Sequence, residues 1–186
     1  KLSAVLKGDV TGQAADKLLD SYGHERKAHV HELTSRIKGV GALICERDTE
    51  KARARDHKLL TDCGGVVKDT PRQDVLPALT TGLLMPSPGA GTLFPQARFH
   101  SDQLMDHVYG CLWRWVTDGT VTTEVPQGIC AIDLSITPET EGVVALWLQR
   151  HGVHAALVRP DHYVYASAST AAEARQLFEV WRSHFN

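Results

Sequence analysis

The stretch HAALVRPDHYVYA, residues 154–166, decides how the second half of this chain folds. An apolar run ends at Arg159, and an alternating run begins at Tyr163. Between them stands Pro160, whose fixed φ and missing N–H suit a turn between two strands but not a strand interior. Asp161 is expected to close that turn through its side chain. The stretch therefore predicts two tightly joined strands, the closing half of a small mixed sheet.

Composition limits the classes of protein that this chain can be. Its 186 residues fit one generous domain or a domain with an appendage, and 42% hydrophobic with 23% charged residues is ordinary for a globular protein. A formal net charge of −2 gives no basic footprint for nucleic acid. No apolar run reaches the roughly 18 residues of a membrane span, and no signal peptide is visible. Scattered cysteines without a C-x-x-C pair indicate reduced thiols and a cytoplasmic protein.

Residues 1–63 are predicted to be helical. Breaks near Gly8 and Gly12 separate an opening turn from a long helix, and a second, charged helix is expected from Arg47 to Leu60. One face of the long helix is formed by residues at steps of three and four: Tyr22, Arg26, Val30, Leu33, Ile37, Val40 and Ile44. Its other face carries charges: Glu25, Lys27, Glu32 and Lys38. The chain begins at Lys1, within this helical pattern and without a methionine. A piece cut from a longer chain, an N-terminal truncation and a processing event would each begin in this way.

Residues 64–100 are predicted to be a packed connector. Prolines and glycines exclude a long helix there: Pro71, Pro77, Pro86, Pro88 and Pro95, with Gly82, Gly89 and Gly91. Four side chains are too apolar for a free linker, namely Leu83, Leu84, Leu93 and Phe94. We therefore expect this segment to lie against the rest of the protein.

Residues 101–186 are predicted to alternate strands and helices in the order β, β, α, β, turn, β, α. The elements are a short helix at 101–108 capped by Ser101, strands at 111–117 and 128–134, a helix from Thr137 to about residue 150, the strand pair around Pro160, and a last helix from Ser169 or Thr170. This order resembles a thioredoxin-like α/β sheet with flanking helices. The pattern alone leaves ferredoxin-like and other α/β sandwiches open.

The thiols and histidines give no strong chemical signature. Thioredoxin chemistry needs a low-pKa cysteine at a helix N-terminus with a second cysteine two residues away. Cys111 and Cys130 instead stand in predicted strands, where buried and inert thiols are usual, while Cys45 and Cys63 lie in and after the helical region. Three of the ten histidines cluster at His24, His29 and His31, and another pair is His100 and His107. A spacing of seven puts two histidines about 10 Å apart on a helix, too far to share one metal ion.

Other candidate groups favour structural roles. The Gly89-Ala90-Gly91 turn is too short for a dinucleotide fingerprint, and there is no G-x-S-x-G, H-E-x-x-H or Walker lysine. Asp20, Glu25 and Arg26 are predicted to form an ion-paired helix face. The tryptophans are expected to be core or interface anchors: Trp113, Trp115, Trp147 and Trp181. We predict no catalytic, cofactor-binding or metal-binding residue in this chain.

Three segments in order resemble one family. KLSAVLKG (1–8) with LLDSYGHERKAHV (18–30) is similar to the end of the flavin domain in flavoprotein aromatic hydroxylases, where W-K-L-A-x-V-L precedes L-L-D-x-Y-x-x-E-R. GTLFPQARF (91–99) resembles the G-x-L-F-P-Q-P stretch that leads into their C-terminal domain, with Ala97 where proline is frequent. ALVRPDHYVYA (156–166) resembles the V-L-V-R-P-D-x-Y-V-A segment of that domain. The family is that of phenol hydroxylase and 3-(3-hydroxyphenyl)propionate hydroxylase.

The resemblance implies that this chain is the C-terminal portion of a monooxygenase that uses FAD and NAD(P)H to hydroxylate phenolic rings. In that family the C-terminal domain is thioredoxin-like, lacks redox cysteines, and contributes to dimer or interdomain contacts. Residues 1–63 would be the tail of the flavin domain, with that upstream domain as a partner and a homodimer as another expectation. The family's flavin motifs lie upstream of Lys1, so the fragment alone is expected to be inactive and without bound cofactor. A stand-alone interaction module and a thiol-dependent enzyme stay open as alternatives.

Overall fold

The computed structural model describes residues 1–67 and 75–185. The elements in chain order are α1 (Leu2–Leu6), α2 (Gly12–Ile44), α3 (Thr49–Asp62), a 3₁₀ turn (His100–Asp102), α4 (Met105–Tyr109), β1 (Trp113–Thr117), β2 (Ile129–Asp133), α5 (Val143–His151), β3 (Ala155–Val158), β4 (Val164–Ala168) and α6 (Ala171–Ser183). The predicted succession of N-terminal helices and then alternating strands and helices is confirmed.

The four strands form one mixed sheet in the order β2-β1-β3-β4. β1 and β2 run parallel, whereas β3 is antiparallel to both β1 and β4. This order and these directions agree with the predicted thioredoxin-like sheet. The connection from β1 to β2, residues 118–128, contains no helix, although parallel strands are usually joined through one. The α/β fold class is therefore confirmed, with a shortened first crossover.

Helices and loops cover both faces of this sheet. On one face Trp115 packs against Phe178 of α6 at a ring-centroid distance of 4.9 Å, and the first turns of α2 add Leu18. On the other face Val116 joins a cluster with Trp147 of α5. Neighbouring residues of β1 thus point into different cores, as the two-residue period of a strand requires. The result is the layered arrangement that an α/β sheet needs to bury both faces.

The strand pair around Pro160 is confirmed, but Asp161 does not close its turn. The backbone closes it instead, because the His162 N–H donates to the Arg159 carbonyl at 3.0 Å. His162 adopts φ +69°, in the left-handed region. The Asp161 carboxylate accepts hydrogen bonds from the Arg159 guanidinium, and such charge-assisted bonds are stronger than those from a backbone N–H.

Two predicted helix starts are wrong. Asp102 has φ +62°, which an α-helix cannot contain, so the helix expected at 101–108 is divided into a 3₁₀ turn and α4. After β2, the Thr137 N–H donates to the Asp133 carbonyl at 2.8 Å and continues a turn. The following helix begins only at Val143, and the Glu139 carboxylate accepts from its Val144 N–H at 2.9 Å. Glu139 therefore caps that helix from outside it.

The long helix α2 is confirmed, but the sequence does not reveal which of its sides is buried. Tyr22, Ile37 and Ile44, on the predicted apolar face, are exposed. Glu25, assigned to the charged face, is only 2% exposed. No helix in the described part of the chain combines the length and the apolar composition that a bilayer crossing requires.

The described residues divide into two units by their contacts. One consists of Lys1–Arg26 together with the chain from Ala78 onward, and it contains the sheet and both apolar clusters. Leu83 and Phe94 are buried in this unit. The other is Lys27–Pro77. The domain limits predicted at residues 63 and 100 stay a prediction, and residues 68–74 of the predicted connector lie outside the described part.

Candidate functional site

A buried ion pair joins α2 to the R-P-D turn. Arg159 follows β3 directly and is 3% exposed. Its Nη1 donates to Glu25 Oε1 at 2.6 Å, and its Nη2 donates to Glu25 Oε2 at 3.1 Å. This bidentate geometry fixes the orientation of the two side chains as well as the distance between them. Two of the three family-like segments, LLDSYGHER and ALVRPD, are therefore held together by one contact.

Three further residues complete the network around this pair. Lys1 Nζ lies 2.7 Å from Glu25 Oε2, and the Leu83 N–H donates to Glu25 Oε1 at 2.8 Å. Asp161 accepts from Arg159 Nε at 3.0 Å and from Nη2 at 2.7 Å. Two cations and two carboxylates thus balance, and the buried oxygens of Glu25 are occupied. Such complete pairing is what makes a buried charge tolerable.

Hydrogen bonds within the network shift the pKa values of Glu25 and Arg159 toward their charged forms. Burial by itself would raise the pKa of Glu25, but hydrogen bonds from Arg159 and Lys1, with the Arg159 charge, hold it below the usual value of 4.5. Burial opposes the charge of Arg159 as well, yet hydrogen bonds to Glu25 and Asp161 raise its pKa. Burial lowers the pKa of Lys1 despite its contact with Glu25. A carboxylate with a lowered pKa and occupied oxygens is a poor general base, so this arrangement favours a structural role.

The lowered pKa of Glu25 predicts a loss of stability in acid. A carboxyl group whose folded-state pKa is depressed stabilises the fold above its unfolded value, and this contribution disappears as the pH falls through the folded value. We therefore expect the free energy of unfolding to decrease as the pH drops below about 4.5. Urea denaturation from neutral pH to about 3 measures this slope. In Glu25→Gln the slope should be smaller, and an unchanged slope would contradict the assignment.

Two cavities flank the network. Their volumes are about 600 and 560 Å³, within the range of small-molecule sites. Both are lined by Lys1, Ser3, Arg159 and Asp161, and aromatic walls of the larger one are Trp113, Trp181 and Phe185. Arg159 and Asp161 are hydrogen-bonded to each other. A ligand in these cavities would therefore contact apolar walls more than reactive polar groups.

The third family-like segment, GTLFPQ, lies beside the same turn. The Gly91 N–H donates to the Val164 carbonyl at 2.8 Å, and the Phe94 N–H donates to the His162 carbonyl at 2.8 Å. Gly91 has φ +77°, and a Cβ there would overlap the carbonyl oxygen of Leu79. The structure therefore brings all three segments together at the turn after β3.

A second ionic cluster holds the turn from β1. Arg114, 1% exposed, donates from Nη1 to Asp106 Oδ1 at 2.7 Å and from Nη2 to His162 Nδ1 at 2.8 Å. Since a guanidinium only donates, Nδ1 must accept, and this assigns the proton of a neutral His162 to Nε2. That Nε2 lies 3.5 Å from Asp106 Oδ2. His162 is therefore fixed through both its backbone and its ring.

The histidines and cysteines of the sequence analysis are not brought together. No group of three potential metal-ligating side chains occurs among residues 1–67 and 75–185. His29 Nε2 lies 3.1 Å from the Pro77 carbonyl, and His24 Nδ1 lies 3.1 Å from the Asp20 carbonyl. The prediction of a buried Cys111 is wrong, since it precedes β1 and is exposed. Cys130 is half-buried in β2, where burial raises the pKa of its thiol.

The partner of Glu25 differs from the predicted one, and the pairing of Arg114 with Asp106 was not predicted. The ion-paired helix face predicted for Asp20, Glu25 and Arg26 is wrong for Glu25, which pairs with Arg159 across 134 positions. The one available signal was that both residues stand in family-like segments. Nothing in the sequence indicated the ion pair between Asp106 and Arg114, because it depends on where β1 and α4 meet in the fold.

The Gly89-Ala90-Gly91 turn does not fit a flavin phosphate site. A phosphate-binding loop needs glycines whose backbone is open to the ligand. A Cβ at Gly89 would lie 2.6 Å from the Trp147 ring, and Gly91 is closed by Leu79. These glycines therefore serve close packing within the fold. That this chain binds no catalytic cofactor or metal itself stays a prediction.

Comparison with known proteins relates the chain to aromatic hydroxylases. It is 32% identical over 196 residues to a protein named probable NADH-specific resorcinol 4-hydroxylase from Rhodococcus jostii (strain RHA1). That alignment covers 93% of this chain and 35% of the relative. It is 26% identical over 220 residues to a 3-(3-hydroxy-phenyl)propionate/3-hydroxycinnamic acid hydroxylase from Mycolicibacterium gilvum (strain PYR-GCK), covering 96% of this chain and 38% of that protein. No model of a protein family matches the chain.

These relatives confirm the resemblance found in the three segments. The chain is similar over nearly its whole length to two proteins named as aromatic-compound hydroxylases, one of them a 3-(3-hydroxy-phenyl)propionate hydroxylase. It spans a little over a third of the length of the relatives it matches. Its coverage and its motifs agree with a C-terminal portion of such an enzyme.

Proposed function

We propose that this chain is the C-terminal part of a FAD-dependent, NAD(P)H-using monooxygenase that hydroxylates phenolic or other aromatic substrates. The observation that carries this is the alignment of 93% of the chain with a hydroxylase whose name includes NADH. The meeting of three family-like segments around Arg159 supports it. Free cysteines in the structure support a reducing, cytoplasmic setting.

The proposed reaction places one oxygen atom of O₂ into a ring C–H bond and releases the other as water. NAD(P)H supplies the two electrons, and FAD supplies the redox chemistry when bound elsewhere in the parent enzyme. The residues of this chain bind, orient and support the rest of the polypeptide. Interdomain packing and dimerisation are the roles proposed for them, and no chemical step is assigned to any of its side chains.

A second candidate is a stand-alone thioredoxin-like interaction module without catalysis. The observation in its favour is that the unit containing the sheet buries apolar clusters on both faces. A module of this kind would be encoded without a flavin-binding region.

Spectroscopy of the purified proteins tests the proposal. A longer polypeptide, translated from the coding sequence upstream of Lys1 together with residues 1–186, is expected to contain a G-x-G-x-x-G fingerprint. It should be yellow and consume NAD(P)H with a phenolic substrate. Residues 1–186 alone are expected to be colourless and inactive. A bound flavin in the isolated chain, or an upstream region without the fingerprint, would overturn the proposal. Disulfide-reductase activity that is lost on Cys→Ser substitution would instead support a thiol enzyme.

A further inference from the structure

The imidazole ring of His162 lies between a buried cation and a carboxylate. Its Nδ1 accepts a hydrogen bond from Arg114 Nη2 at 2.8 Å, and its Nε2 lies 3.5 Å from Asp106 Oδ2. Arg114 is 1% exposed, whereas the His162 side chain is 33% exposed, so protons from solvent reach the ring while the guanidinium stays buried. The contact with Arg114 requires that Nδ1 carry no proton, because a guanidinium has no acceptor atom.

The charges around this ring come from two elements of the fold. Among the described residues, Arg114 of β1 and Asp106 of α4 face the ring, and they also pair with each other at 2.7 Å. Arg159 and Asp161, in the same turn as His162, are hydrogen-bonded to each other. The charge of the ring therefore decides between one cation and one carboxylate as its partner.

Two contacts of the GTLFPQ segment depend on the same groups. The Phe94 N–H donates to the His162 carbonyl at 2.8 Å, and Gln96 Nε2 donates to Asp106 Oδ2 at 2.5 Å. His162 Nε2 and Gln96 thus approach the same carboxylate oxygen. His162 also has φ +69°, an unfavourable conformation for a residue with a side chain, and surrounding contacts must maintain it. A change at the ring is thereby transmitted to the segment.

We propose that His162 is a proton-operated switch that loosens the GTLFPQ segment in mild acid. A proton taken from solvent at Nδ1 gives both ring nitrogens an N–H, so the ring and Arg114 then present two donors to each other. The positive ring is repelled by Arg114 and attracted to Asp106, where it competes with Gln96 for Oδ2. As the ring leaves, the turn has less to hold His162 at positive φ, and the bond from Phe94 weakens.

The buried guanidinium makes this rearrangement unfavourable for the closed turn. Arg114 Nε is already buried without a hydrogen-bond acceptor in the described part of the chain. Departure of the His162 ring takes the acceptor of Nη2 away as well. Buried donors without acceptors destabilise a fold, so the arrangement with a neutral His162 is favoured only while the ring stays unprotonated. Histidine is the side chain that ordinarily changes its charge between pH 5 and 8.

Amide hydrogen exchange of residues 1–186 at about pH 7.5 and about pH 5.5 tests the switch. The quantity compared is the protection factor of the Phe94 amide, which is its exchange rate in an unfolded chain divided by its rate in the folded chain at the same pH. We expect this factor to fall by at least about tenfold at the lower pH. Amides within β1 and β3 should keep their protection. Glu25 stays ionised at both pH values, because its pKa lies below 4.5.

His162→Asn and His107→Asn are the paired variants. Asparagine tolerates the left-handed conformation at position 162 and takes up no proton in this pH range, so His162→Asn should give equal Phe94 protection at both pH values. His107 is exposed on α4 beside Asp106, and His107→Asn should show the wild-type fall. No fall in the wild-type chain, an equal fall in His162→Asn, or a fall shared by the amides of β1 would overturn the proposal.

Nitrogen NMR of the His162 ring in the wild-type chain gives a readout that needs no variant to fold. At about pH 7.5 the spectrum should show a proton on Nε2 and none on Nδ1. A proton should then appear on Nδ1 over the same pH interval in which the Phe94 amide loses protection. A protonated Nδ1 at neutral pH, or two separate pH intervals, would contradict the switch. The proposed function stands in either case, because no chemical step is assigned to this turn.

Discussion

Replacement of Arg159 by leucine is expected to lower the free energy of unfolding by about 3 kcal/mol or more. The substitution leaves the Glu25 carboxylate, which is buried, without its two-pronged partner. Lys1 and the Leu83 N–H still contact Glu25, which places the expected loss toward the lower end of the range for broken buried pairs. Urea denaturation at neutral pH, followed by far-UV circular dichroism, measures the change.

Arg98→Leu is the matched control for this loss. Arg98 is partly exposed and pairs with Asp102 at 3.0 Å on the surface, so its removal should cost less than about 1 kcal/mol. Equal losses in Arg98→Leu and Arg159→Leu would contradict the buried network. The double variant Glu25→Leu/Arg159→Leu should be less destabilised than the sum of the two single variants, because neither buried charge is then left without its partner.

The local part of this structure could be predicted from sequence, since local chemistry determines it. Pro160 marked the turn between two strands, and Thr170 marked the start of the last helix. Thr170 Oγ1 accepts a hydrogen bond from the Glu173 N–H at 3.2 Å, and the Glu173 carboxylate accepts one from the Thr170 N–H. The two bonds together form a capping box. Signals of this kind act within four residues and need no knowledge of the fold.

The site could not be predicted in the same way, because its partners are distant in sequence. Helical periodicity gives α2 two faces but does not say which of them the sheet unit buries. Glu25 looks like a surface residue until Arg159 is placed opposite it. The reverse holds for Ile37, which looks like a core residue and is exposed. The Asp102 break and the Glu139 cap were missed because each overrides an ordinary local preference.

Replacement of Gly91 by alanine is expected to destabilise the fold by about 4 kcal/mol or more, beyond the range of most single substitutions. Two effects add at this position. Gly91 has φ +77°, which costs an alanine about 1–2 kcal/mol. The new Cβ would also overlap the carbonyl oxygen of Leu79, so the backbone must move. That movement weakens the bonds from Leu79 N–H to the Gly91 carbonyl and from Gly91 N–H to the Val164 carbonyl, each 2.8 Å long.

Gly152→Ala separates the clash from the backbone conformation. Gly152 ends α5 with φ +64°, and a Cβ there would meet nothing within 4 Å. This control should therefore show only the conformational cost, about 1 kcal/mol. The difference between the two urea midpoints then measures how tightly GTLFPQ is held against Leu79 and β4. Equal losses would mean that the segment yields easily, and that its glycine is required for φ alone.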